Sequence, residues 1–161
     1  MGSPTGIPPL KRLEDEFPGL RTSRYAVTSP ASPAYNCIAW AAGDTRRWWE
    51  PDPYLLYFWP PQIPRRYDID AYTAAYGVLG FQICDDTVYE PGFEKLAVFV
   101  GADGRPTHAA RQLANGSWTS KLGRSEDIEH ETADSVAGQQ YGRAGVFLKR
   151  RLKSKSDADR N

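Results

Sequence analysis

The chain reads as an α+β domain, with N-terminal helices packed on an antiparallel sheet of four to six strands. Three observations predict this. A short apolar stretch, Tyr35-Asn36-Cys37-Ile38-Ala39-Trp40-Ala41-Ala42-Gly43, carries a helix start and stop. Alternating segments from Lys95 to Leu122 are punctuated by Asp103-Gly104 and Asn115-Gly116, the favoured hairpin dipeptides. Gly80–Asp85 and Gly145–Lys149 add further strand-like segments.

Residues 1–24 hold four prolines and scattered charge, and read as an arm with one turn of helix near Leu10–Phe17. Ser29-Pro30-Ala31-Ser32-Pro33 is loop, because each proline biases its predecessor away from the helix. Asn36 then caps a short buried helix that Gly43 ends. Residues 48–64, WWEPDPYLLYFWPPQIP, hold five prolines in seventeen positions and exclude a long helix. Their aromatic residues must sit on irregular chain, in the core or along a groove.

Asp68–Tyr76 reads as a helix, with Ile69, Tyr72, Thr73 and Tyr76 on one face. Gly80–Asp85 alternates as a strand. Lys95–Val100, Thr107–Leu113 and Trp118–Leu122 form a three-stranded meander, and Gly145–Lys149 supplies a last strand. The main domain therefore spans 25–150, and 151–161 is a charged, frayed tail.

Register follows from the turns. Asp103-Gly104, taken as a two-residue loop, sets Phe99 beside His108. Asn115-Gly116, taken the same way, pairs Arg111 with Ser120, Ala110 with Lys121 and His108 with Gly123. His108 and Lys121 then share the more polar face, and Ser120 points to the other.

Composition narrows the function. The 161 residues carry twenty basic and twenty acidic side chains, a balance that argues against a dedicated nucleic-acid binder. No segment has the length and hydropathy of a membrane span or of a secretory leader, so a cytoplasmic protein is expected, with export as an effector the variant of that reading. C-x-x-C and H-x-x-x-H spacings are absent, as are a phosphate-binding glycine loop and G-x-S-x-G. No metal or cofactor is expected.

What remains is a thiol. Cys37 stands at a helix N-terminus, where the partial positive charge favours thiolate. His108 is the natural base, and Asp127 is the group that would orient it, with His130 as the alternative. Asn36 or the Cys37 backbone N–H would bind an oxyanion. Trp40, Phe99 and Lys121 would line the substrate. Cys84, alternating with Phe81 and Ile83, reads as structural.

A cysteine opening a helix as N-C-I-A-W, then a histidine on an antiparallel strand, then a polar third group, resembles the papain-like thiol hydrolases. The small NlpC/P60-type domains of bacteria are nearest in size and order. The strings Pro106–Leu113 and Trp118–Gly123 also resemble an uncharacterised bacterial domain family. The resemblance implies a hydrolase or acyl transferase acting on an amide or ester of a protein or peptide-like substrate, with Cys37 as nucleophile, His108 as base and Asp127 as orienter. The rival expectation is a non-catalytic domain that binds a protein or glycan through the Trp/Pro-rich segment. A third is a thiol sensor built on Cys37 and Cys84.

Overall fold

The computed structural model describes residues 9–122 and 124–152. It is an α+β fold built on one open antiparallel sheet of seven strands, more than the four to six expected. The strands are β1 (Tyr25–Ser29), β2 (Gln82–Cys84), β3 (Phe93–Val100), β4 (Pro106–Gln112), β5 (Trp118–Lys121), β6 (Asp127–His130) and β7 (Arg143–Arg151). Their spatial order is β1-β6-β5-β4-β3-β7-β2. The strands not foreseen are β1 and β6, which pair with each other at one margin.

Helices cover both faces. On one lie α2 (Cys37–Ala41) and α3 (Ile69–Gly77), packed with Trp49 and Trp59 over Leu96, Val98, Ala109 and Leu148. On the other, α1 (Pro9–Glu16) and the 3-10 turn Pro18–Thr22 bring Leu13, Phe17 and Leu20 onto Ala97, Phe99, Ala110, Trp118 and Ile128. Leu13 and Leu20 are essentially inaccessible to solvent, and each contributes about 1.5–3 kcal/mol by burial. The expected arm therefore contributes Leu13, Phe17 and Leu20 to the core. At the other end, Arg151 still belongs to β7 and pairs with Phe93, so the expected tail begins later, and its remainder lies outside the described residues.

Both hairpin loops are one residue longer than expected. Gly101 N–H donates to Arg105 O, so the first loop is Ala102-Asp103-Gly104. Leu113 N–H donates to Ser117 O, so the second is Ala114-Asn115-Gly116, with Gly116 at φ +89° in the left-handed position such loops require. In the first hairpin a bulge at Thr107 cancels the slip and restores Phe99 opposite His108. In the second nothing cancels it: Arg111 pairs with Thr119 and Gln112 with Trp118. Every β5 side chain thus lies on the face opposite to the one expected. Gly123, the expected partner of His108, lies outside the described residues.

Candidate functional site

The faces of β4 and β5 decide which groups meet. Cys37 packs in the cluster that contains Val98 and Ala109, whereas His108 is the neighbour of Ala109 in β4 and pairs with Phe99 of the other cluster. Strand side chains alternate, so Cys37 and His108 stand on opposite faces of the sheet. The expected Cys–His pair is not formed. Asp127 faces the Cys37 side, and it does not orient His108.

On the Cys37 face, Asn36 caps α2 as the sequence indicated. Its side chain accepts from Ala39 N–H (3.1 Å) and Trp49 N–H (3.0 Å), and donates to Trp49 O (2.7 Å). Those bonds fix Asn36 as the cap of α2 and tie its amide to Trp49. Trp40 stacks on Tyr35 and donates its Nε1–H to Thr119 Oγ1 at 3.0 Å. Tyr35 O–H donates to Asp127 Oδ2 at 2.7 Å, while Asp127 Oδ1 is buried without a hydrogen-bond partner among the described residues. Lys121, paired with Asp127 across β5–β6, is fully buried; its Nζ donates to Ser125 O and lies 5.2 Å from the Tyr35 ring centre.

Burial dominates the electrostatics here. It pushes the Cys37 thiol up to about 11, against the opposing pull of the Ala109, Ile38 and Cys37 backbone N–H groups and of the Lys121 charge. It also lowers Lys121, with Asp127, Cys37 and Glu126 opposing. Cys37 is thus a protonated, covered thiol at neutral pH, the reverse of an activated nucleophile. Cys84 is partly exposed on edge strand β2, and both cysteines are free.

The opposite face holds a side chain that the expected register turned away from His108. Ser120 Oγ lies 3.0 Å from His108 Nε2 and 2.8 Å from His130 Nε2, and His130 Nδ1 lies 2.7 Å from Thr132 O. All three side chains are buried. A carbonyl only accepts, so His130 Nδ1 carries the proton and its Nε2 is an acceptor. Ser120 must then donate to His130 and accept from His108 Nε2–H. That leaves His108 Nδ1 a bare acceptor, and it is indeed buried without a partner. Tyr141 covers His108 in a parallel stack at 4.0 Å, and Phe99 meets it edge-on at 5.2 Å. Phe99 is therefore core, not substrate-lining. Desolvation, then the neighbouring His130, holds His108 well below the ordinary imidazole value, and desolvation takes His130 down to about 4.

The Trp/Pro-rich segment divides in two. Trp49 and Trp59 are core. Between them Tyr54, Leu55 and Leu56 project, 79%, 72% and 73% exposed. The foot of this loop is firmly held. Asp52 accepts from Leu56 N–H (2.8 Å) and Tyr57 N–H (3.0 Å), and Arg65 reaches Asp52 Oδ1 (2.7 Å), Asp52 O (2.8 Å) and Tyr57 O (2.9 Å). Trp48 packs on Tyr57, and Arg124 lies over Trp48.

With this geometry in view, comparison with known families is decisive at one level. The family model for a domain of unknown function, DUF7689, matches residues 26–149. The chain belongs to the DUF7689 family. No curated protein and no solved structure matches it. The DUF7689 match runs from β1 into β7 and contains Cys37, Lys121, Asp127, the His108–Ser120–His130 chain and the projecting loop. α1 lies before it. Among the described residues of this DUF7689 chain, no three His, Cys, Asp or Glu side chains converge to hold a metal, and no helix is long and apolar enough to cross a membrane.

Proposed function

We propose that this DUF7689 domain is a protein-binding module that presents Tyr54, Leu55 and Leu56 as its anchor. One observation carries the reading: three consecutive large apolar residues stand more than two-thirds exposed on a loop whose foot is rigid. Folding gains little from them. Leu55 also sits at φ +58°, a left-handed conformation that costs a non-glycine residue about 1–2 kcal/mol. A leucine in the left-handed region with its side chain mostly exposed is a feature expected of an interface. Each such side chain contributes about 1.5–3 kcal/mol when a partner's pocket covers it. Asp52 and Arg65 hold the loop in its bound shape beforehand, which lowers the ordering cost of association.

The test is photo-cross-linking from position 54, with p-benzoylphenylalanine replacing Tyr54 in cells that produce the protein. The reading expects one predominant cross-linked protein, lost when Leu55→Asp and Leu56→Asp are introduced. A cross-link pattern unchanged by those substitutions contradicts it.

A second reading, thiol-dependent hydrolysis or acyl transfer on a papain-like fold, is favoured by the orphaned Asp127 Oδ1 on the Cys37 face, since an unsatisfied buried carboxylate asks for an explanation. In it neutral Lys121, not His108, takes the Cys37 proton as sulfur adds to an amide or ester carbonyl and returns it to the amine or alcohol that leaves, after which water releases the acyl group from sulfur. It requires the cover over Cys37 to open. Turnover of a peptide amide lost in both Cys37→Ser and Lys121→Met supports it; turnover that survives either substitution removes it.

A further inference from the structure

The seam between β4 and β5 is the shortest ladder in the centre of the sheet. Two residue pairs, Arg111–Thr119 and Gln112–Trp118, define it, against five pairs between β3 and β4. Past the end of that ladder, the strands are joined on one face by the His108–Ser120 hydrogen bond, and Ser120 passes the connection on to His130 of β6. His130 in turn holds the carbonyl of Thr132, which opens the 3-10 turn Ala133–Val136. We propose that His108, Ser120 and His130 form an acid-sensitive latch that keeps the β4–β5 seam shut and, by doing so, keeps Cys37 covered.

The hydrogen-bond polarity makes the latch proton-dependent. The chain runs His108 Nε2–H to Ser120 Oγ–H to His130 Nε2, with each atom in one role. A proton added at His130 Nε2 turns that acceptor into a donor. Ser120 then faces two N–H donors, and accepting from both turns its own O–H away from both rings, so the bond it gave to His130 is lost. Ser120 can give its proton to His108 instead only if His108 moves its own proton to Nδ1, which is buried under Tyr141 with nothing to accept it among the described residues. A second proton places two cations on either side of one hydroxyl. Either event favours separation of the strands, where water solvates the imidazolium.

Few charges nearby offset this. Glu129 on β6 favours protonated His130, and burial opposes it more strongly. Tyr25 of β1 faces His130 across the sheet and is held by Glu14 of α1. Around His108 stand Phe99 and Tyr141, both uncharged, and beyond Tyr141 the Glu16 carboxylate. None of these acids hydrogen-bonds to either imidazole among the described residues.

Opening the seam reaches the other face directly. Cys37 of α2 packs with Ala109 of β4, and Trp40 of the same helix bonds Thr119 of β5, so separating β4 from β5 loosens the helix that covers the thiol. The experiment is labelling of Cys37 with 4,4′-dithiodipyridine, which reacts with thiols in acid, at about pH 7 and about pH 5, with peptide-level hydrogen exchange in parallel. The full chain is expected to label Cys37 about tenfold or more faster at the lower pH, with β5 and β6 losing protection while β3 and β7 keep theirs. In His130→Gln the acid acceleration disappears; His108→Gln, which retains a donor for Ser120, serves equally and guards against misfolding of the first variant. No acceleration in the unsubstituted chain, equal acceleration in a folded variant, or simultaneous loss of protection in β3 and β7 overturns the latch.

Discussion

Cys37 and His108 occupy opposite faces of one sheet, separated by the thickness of β4, although Ala109, the residue after His108, touches the sulfur. The alternation of side chains along β4 therefore leaves the thiol and the imidazole as two separate buried groups. The thiol is buried between α2 and the sheet, and the imidazole is engaged by Ser120.

It follows that Cys37 is slow toward electrophiles at neutral pH. Iodoacetamide labelling resolved by mass spectrometry should modify Cys84 well before Cys37. The rate at Cys37 should be insensitive to His108→Gln at about pH 7.5, above the acid range in which the latch opens. Rapid Cys37 labelling that His108→Gln slows would restore the dyad.

Ser120 is the only side chain that satisfies both imidazole Nε2 atoms among the described residues. Ser120→Ala leaves a buried donor and a buried acceptor unpaired, and should cost about 2–3 kcal/mol in urea unfolding. Ser120→Thr, which keeps the hydroxyl, should cost less unless its methyl overpacks the site.

Stability should depend on pH through the same pair. Both histidines titrate lower in the folded chain than free imidazole does, so the unfolded chain binds more protons. Their contribution is complete above about pH 6.5 and is lost as pH falls toward the His130 value of about 4. By about pH 5 His130 alone accounts for about 2 kcal/mol. Urea midpoints measured across this range should fall in the unsubstituted chain and flatten in His130→Gln.

Tyr35 gives the sole hydrogen bond that Asp127 receives at its carboxylate among the described residues. Tyr35→Phe should therefore strand both oxygens in the interior and destabilise by about 1–3 kcal/mol, measured by thermal or urea unfolding. No loss in that variant would mean that another donor reaches Asp127.

Much of the fold was legible because its signals are local. Asn36 and Asp68 cap their helices through side-chain oxygens, as their residue types suggest. The glycines of Asp103-Gly104 and Asn115-Gly116 do turn the chain, at φ +81° and +89°. The site was less legible because turn dipeptides do not specify loop length. The same one-residue error arose twice, and only at Thr107 did a bulge absorb it. The second error moved Lys121 and Asp127 to the Cys37 side and brought Ser120 to His108. Strand β1 was missed because Tyr25–Ser29 sits at a margin, mostly exposed and without alternation. Strand β6 was missed because Asp127 and His130 are polar residues buried by their partners, which appear nowhere in their local sequence. The exposure of Tyr54–Leu56 within a segment whose tryptophans are core also depends on tertiary packing, and nothing in the local composition separates the two.

The loop offers the most direct test of the whole account, because stability and binding should move in opposite directions. Leu55→Gly combined with Leu56→Ser removes both apolar side chains and relieves the left-handed leucine, so the thermal midpoint should hold or rise. Capture of the cross-linked partner by the same variant should be lost. A variant that folds as well as the parent and still captures that partner would contradict the assignment of Tyr54, Leu55 and Leu56 as the anchor.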